Sequence, residues 1–306
     1  METQLDYAAV RAAADRIAGA VRPAAVVPAA EGLWYALEYL QHTGSFKARG
    51  ARNFLAAHRE AAALPEAGVT IASGGNAGLA CAWSARAQDV PATVFLPETA
   101  PRVKVERLRG YGAEVRLVGD RYADALAACG EFAAATGALS SHAYDHPLIA
   151  AGAGTLLEEI RAALPGLDAV VVAVGGGGLF AGVATAAREH GVRVIAAEPE
   201  GSRALNAALA AGRPVDVPVG SVAADSLGAT RVSADALAAA RHDGVTSVLV
   251  PDTAITAARR ALWEDHRIVV EAGAATALAA LGALPAPPGE RVAVVLCGAN
   301  TDPADL

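Results

Sequence analysis

Cysteine is scarce in this chain: Cys81, Cys129 and Cys297 are odd in number among 306 residues and show no metal-ligand spacing. That excludes a disulfide framework and a structural zinc site, and it fits a reducing cytoplasm. No run of lysine or arginine is present, the formal net charge is −7 and the pI lies near 5.5. Neither nucleic acid nor an anionic membrane surface is therefore expected as a partner, whereas small polar ligands remain open. The histidines lack metal-ligand spacing, so His142 and His146 read as surface or loop residues. Met1 to Arg22 has no apolar core, being interrupted by Glu2, Asp6, Arg11, Asp15, Arg16 and Arg22. It predicts a surface helix rather than a signal peptide. Repeats and low-complexity linkers are also lacking.

What is present is a chain of 54% hydrophobic and 19% charged residues, enough to bury one large core or two smaller ones. Ala169 to Ala187 carries no charge over a span long enough for a membrane, but its four consecutive glycines suit a turn between strand and helix, so no transmembrane helix is expected. Arg22-Pro23 and Val26-Val27-Pro28 break the opening pattern, and Gly32 to Glu38 predicts a short strand or hairpin. From there strands and helices alternate. Strands are predicted at 69–72, 92–96 and 113–118, with helices at 77–88, 102–110 and 121–136. A second series has helix 155–164, strand 169–174, helix 179–190, strand 192–197, helix 202–211, strand 247–250, helices 254–266 and 272–284, and strand 291–296. This rhythm predicts an α/β fold with doubly wound parallel sheets.

Four stretches carry chemistry. In Thr43-Gly44-Ser45-Phe46-Lys47-Ala48-Arg49-Gly50 a glycine turn and a Ser45 N-cap would set Lys47 in a first helical turn, where the helix dipole disfavours an ammonium. If desolvated as well, such an amine becomes neutral and can form a Schiff base with an aldehyde. In Ala72-Ser73-Gly74-Gly75-Asn76-Ala77-Gly78 backbone amides and two polar side chains converge at a helix start suited to a carboxylate. The run Gly175-Gly176-Gly177-Gly178-Leu179 follows an apolar strand and reads two ways. It is a cradle for one phosphate, or, through Gly176, Gly178 and Ala181 with Glu198 ending the next strand, a dinucleotide site. Finally, Cys297 falls at the C-terminal end of a strand, where α/β folds bind ligands.

Leu37 through Gly50, followed in order by the asparagine loop, the glycine run and the Cys297 segment, resembles the fold-type II pyridoxal-phosphate enzymes. The resemblance covers nearly the whole chain and lies closest to the serine/threonine dehydratase branch, which also contains serine racemases. It implies two doubly wound parallel-sheet domains, tryptophan synthase β-like, with a small domain at 52–141 inserted into a large one formed by 1–51 and 142–306. It further implies Lys47 as the cofactor-linked catalytic base, with Phe46, Asn76, Gly175, Gly176, Gly177, Gly178, Leu179 and Cys297 around pyridoxal 5′-phosphate. Ser73, Gly74 and Asn76 would then face the substrate, and Cys297 the pyridine nitrogen. The expected reaction is dehydration and deamination of L-serine, L-threonine or a related β-hydroxy amino acid to a 2-oxo acid and ammonia.

The alternatives are a β-replacement enzyme resembling threonine synthase or cysteine synthase, and a non-enzymatic nucleotide-binding protein. Gly74 stands where serine racemases carry serine, which implies a lyase that racemises little. Glu198, Ser202, Ala204, Leu227 and Ala229 match the family's cation site, here suited to potassium because Ala204 replaces a second carboxylate. Ala153 and Ala272 depart from the usual glutamine and proline. Glu271 could line the site, with capping of the following helix as the simpler role. A cytoplasmic homodimer is expected, and with the chain ending at Leu306 no C-terminal regulatory domain is expected.

Overall fold

The structure is a computed structural model and describes residues 5–284, 287 and 289–305. Among these described residues ten strands run in chain order: β1 Val26–Ala30, β2 Leu33–Ala36, β3 Val69–Ala72, β4 Ala92–Leu96, β5 Glu114–Leu117, β6 Leu139–Ser140, β7 Ala169–Ala173, β8 Arg193–Pro199, β9 Val245–Val250 and β10 Val292–Val295. Among the described residues twelve α-helices accompany them: α1 Tyr7–Ile17, α2 Lys47–Glu60, α3 Asn76–Arg86, α4 Arg102–Gly110, α5 Tyr122–Thr136, α6 Pro147–Ala163, α7 Gly178–Glu189, α8 Ala204–Ala211, α9 Ala224–Leu227, α10 Ala234–Ala240, α11 Asp252–His266 and α12 Ala272–Ala283.

The strands form two sheets. A six-stranded sheet has the order β1-β2-β10-β7-β8-β9 and a four-stranded one β5-β4-β3-β6. Every pairing is parallel except the β1–β2 hairpin. The strands β7 and β10 are apolar runs, and they, with β3 and β4, are buried at every residue, as expected where helices cover both faces of a parallel sheet. The larger core gathers β7, β8 and β10 with α6, α7 and α12, and a second core surrounds β3 and β4. No described helix is long and apolar enough to cross a membrane.

Two departures from the sequence reading have clear physical causes. Val26-Val27-Pro28 belongs to a strand, because β1 is the sheet's edge, where a residue without an N–H is tolerated. Helix α6 begins at Pro147 rather than Thr155, with Pro in its first turn and the His146 Nδ1 accepting from Leu148 N at 3.1 Å. Its early glycines serve packing. A Cβ at Gly152 would meet the Arg49 carbonyl oxygen at 2.7 Å, and one at Gly50 the Ile149 oxygen at 2.6 Å. The backbones of α2 and α6 therefore touch, which seats the helix that begins with Lys47 against the large core.

Candidate active site

The turn before Lys47 is stitched to the end of β10. Phe46 N donates to the Cys297 oxygen at 2.9 Å, Ala299 N to the Gly44 oxygen at 2.9 Å, and Ser45 bridges Gly298. Gly44 has φ +76 and Thr43, a β-branched residue, φ +64, so the chain reverses tightly enough to deliver Lys47 as the first residue of α2. Ser45 is not the cap that its sequence position suggests. The residue preceding α2 is Phe46, no side chain caps the helix, and the Ser45 Oγ is turned into the interior without a hydrogen-bond partner.

Lys47 is half-buried, and its Nζ donates to the Ala143 oxygen at 2.6 Å while lying 4.9 Å from the Phe46 ring centroid. Burial pulls the amine down to about 8, against the opposing pull of the Glu271 carboxylate. A cavity of about 630 Å³ opens in front of it. Phe46, Lys47, Ser73, Gly74, Asn76, Gly175 to Leu179 and Cys297 all line that cavity. The chain has two lysines, Lys47 and Lys104, and both face this space. Lys104 reaches across it to Asp225 at 3.0 Å.

The glycine run occupies the N-terminal end of α7. Gly177 precedes the helix with φ +96. A Cβ at Gly176 would strike the Tyr144 ring at 2.3 Å and one at Gly178 the Tyr144 oxygen at 2.9 Å. No described backbone or side-chain acceptor takes a hydrogen bond from the amides of Gly175, Gly176 or Gly177. Free amides at a helix N-terminus make an anion site. The dinucleotide alternative loses its acid. Glu198 is buried, its Oε1 accepts from Leu205 N at 2.7 Å and its Oε2 from Asn206 N at 2.8 Å, so it caps α8 instead of facing a ribose. Burial raises its carboxyl to about 7 despite those two bonds.

Across the cavity, Asn76 Nδ2 donates to both Glu271 oxygens, at 2.9 and 3.0 Å, and Asn76 Oδ1 accepts from Asn300 Nδ2 at 2.6 Å. Glu271 precedes α12, but its side chain caps nothing there. It takes hydrogen bonds from Asn76 and from Asn300 N at 2.8 Å, and burial raises its pKa. No local sequence signal marks Asn300, and the helix cap that the position of Glu271 suggests is not formed. Ser73 Oγ accepts from Gly75 N at 3.4 Å. Gly74 is not among the positive-φ glycines, and the nearest atom to a Cβ there is the Leu96 Cδ2 at 2.9 Å, the tip of a flexible side chain. Backbone conformation does not demand a glycine at that position. Cys297 is a free, buried thiol held protonated, pushed up to about 12 by burial and then by the Glu271 charge. His142 and His146 each receive backbone N–H groups on Nδ1.

The family model for pyridoxal-phosphate dependent enzymes matches residues 18–298. The chain belongs to this family. Among its relatives in the pyridoxal-phosphate dependent enzyme family, human serine dehydratase-like is 40% identical over 280 residues, 86% of this chain and 83% of that protein. The L-threonine ammonia-lyase of Geobacter sulfurreducens is 40% identical over 253 residues, 81% of this chain and 62% of that one. The structure of maize serine racemase superposes with a TM-score of 0.91 at 28% identity, covering 99% of this chain and 96% of that one.

The residues present fit the family's cofactor. One half-buried amine with a lowered pKa can join an aldehyde, unpartnered amides can hold a phosphate, and an uncharged thiol can face a ring nitrogen. A pH dependence follows. Only the neutral amine attacks, so the rate at which cofactor adds to the apoprotein should rise about eightfold from pH 6.5 to 7.5 and level off above about pH 9. Stopped-flow absorbance measures it, and a rate still rising steeply at pH 10 would place the amine in solvent.

Proposed function

We propose that the protein eliminates water from L-serine, L-threonine or a related β-hydroxy amino acid, releasing a 2-oxo acid and ammonia. The observation that carries this reading is the meeting of Lys47, the Gly175 to Gly178 amides and the Ser73 to Asn76 loop in one cavity. The dehydratase and ammonia-lyase names of the two sequence relatives support it. Pyridoxal phosphate, when bound, supplies an aldehyde that links to an amine and a ring that spreads the charge left at Cα after proton loss.

The chain's own residues do the rest. Lys47, with its lowered pKa, would be the base that takes the α-proton. The amides at Gly175 to Gly178 and the N-terminus of α7 hold the phosphate. Ser73 and the 73–76 amides receive the substrate carboxylate, Asn76 orients the ring edge, and Phe46 and Leu179 wall the space. Cys297 would offer an uncharged partner to the ring nitrogen, which would leave the ring a weaker electron sink. Residues 52–141 form the smaller body and 1–51 with 142–306 the larger, with the cavity between the two sheets. A homodimer in the cytoplasm completes the reading, with no nucleic acid as partner.

The test is release of 2-oxo acid from a panel of β-hydroxy amino acids, followed by chiral chromatography of the serine left after partial turnover. Lys47 returns a proton only to the side it came from, and Gly74 brings no group to the opposite face. Unreacted serine should remain L. No 2-oxo acid from any substrate would refute the lyase, and abundant D-serine would refute the role given to Gly74.

The cation site belongs to the same proposal. Each Glu198 oxygen accepts one amide and keeps a second lone pair, and the Ser202 Oγ is buried without a hydrogen-bond partner. With carbonyls of Ala204, Leu227 and Ala229 this oxygen set suits potassium. Replacing potassium by tetramethylammonium after exhaustive dialysis should lower activity severalfold, and unchanged activity would remove the ion from the account.

A further inference from the structure

Asn300 sits where four separate pieces of chain converge on the cavity. Its Nδ2 donates to the Thr43 oxygen at 2.7 Å and to the Asn76 Oδ1 at 2.6 Å, and its Oδ1 accepts from Arg107 Nη2 of α4. Its backbone N donates to Glu271 Oε1 at 2.8 Å. An asparagine amide has two N–H donors and one carbonyl acceptor, and here all of them are engaged.

Two of these partners need holding. Thr43 is in the left-handed region with φ +64, a conformation that a β-branched residue adopts only when its surroundings impose it. Its Oγ1 is buried without a partner, so its own side chain does not secure the turn. The bond from Asn300 to the Thr43 carbonyl does so, four residues before Lys47. The room is as tight as the bonding: a Cβ on the neighbouring Gly44 would come within 2.9 Å of the Asn300 Oδ1. Asn76 could in isolation turn its amide either way. With Glu271 accepting on one side and Asn300 donating on the other, only one orientation satisfies both, and it directs the amide nitrogen to the carboxylate.

We infer that Asn300 is a positioning residue that fixes the lysine turn and the Asn76 side chain together, so that the two sides of the cavity are set by one amide. It touches no reacting atom in the mechanism above and acts through Thr43 and Asn76. The inference rests on the functional reading for the reaction that is turned over, but its geometry requires only the cofactor.

A double-mutant cycle on the reconstituted protein tests it, with Asn76→Ala, Asn300→Ala and the double variant titrated with pyridoxal phosphate. Asn300→Ala should weaken cofactor binding about tenfold, one broken positioning bond, and shift the visible absorption band. Because both changes disable the same contact, the loss in the double variant should fall at least about threefold short of the product of the single losses. Asn300→Asp keeps the shape but loses both donors, and it should behave like Asn300→Ala. If Asn300→Ala does not fold, the cycle is read with Asn300→Ser. Losses that multiply, or wild-type affinity with an unshifted band in the Asn300 variants, would overturn the inference. A second arm measures kcat and KM for L-serine and L-threonine. If the wild type turns over neither, the functional reading fails, while the binding cycle still decides the role of Asn300.

Discussion

Lys47→Ala is expected to abolish both turnover and the visible absorbance of bound cofactor while leaving the fold in place. One amine carries the covalent link and the proton abstraction in this account, so the two losses come together. General-base catalysis alone is worth about 10² to 10⁴ in rate, and activity should drop at least about 10³-fold. The fold should survive, because among the described residues the one side-chain hydrogen bond lost is that from Nζ to the Ala143 oxygen, and removing the amine relieves its desolvation. Lys47→Arg should be as inactive, since a guanidinium retains the charge without becoming a nucleophile. Circular dichroism and thermal melting separate loss of chemistry from loss of structure. Near-normal activity in either variant would sink the mechanism.

The largest effect on stability is expected two residues further along. Arg49 is fully buried, with its Nε on Glu38 Oε1 at 2.5 Å and its Nη1 on Glu159 Oε1 at 2.7 Å. Glu38 is equally buried, and burial raises its carboxyl. For Arg49 burial works against the charge, but the two carboxylates more than offset it and raise its pKa, so the guanidinium stays charged. Arg49→Met leaves the Glu38 carboxylate uncompensated in the interior, which typically costs about 3–5 kcal/mol. Against a total of about 5–15 kcal/mol such a loss brings the protein close to unfolding. The double variant Arg49→Met with Glu38→Leu should recover most of it, because an apolar pair of similar volume removes both desolvation penalties, while the half-buried Glu159 keeps access to water. Urea melts of the two variants beside the wild type decide this. A single variant within about 1 kcal/mol of wild type would mean that the ion pair holds nothing together.

Much of the site is legible in the sequence because it is local. A glycine turn before a lysine, four glycines between a strand and a helix, and a cysteine ending a strand each declare their geometry within a few residues, and parallel β strands carry them to one edge of the sheet. What stays hidden is contact between distant segments. The Lys47 bond to Ala143 spans 96 residues and the Asn76 to Glu271 bond 195, so no spacing rule reaches them. Glu271 reads as a helix cap because it stands before α12, yet the close approach of Gly298 leaves its carboxylate facing Asn76 and Asn300. Ser45 reads as a cap for the same local reason and is overruled by the bridge to Gly298, which takes its backbone into extended pairing. Alanine and glycine blur the start of α6, since the glycines that weaken a helix by propensity are the ones that let its backbone meet α2.

The most direct test of the central claim is where the cofactor attaches. The purified protein, treated with borohydride and digested, should yield one modified peptide, carrying reduced pyridoxal phosphate on Lys47. The same cavity contains a built-in control, because Lys104 is the only other lysine in the chain and lines the same space. Label on Lys47 alone is the result this account predicts. Label on Lys104, or no label in protein that retains its activity, would contradict it.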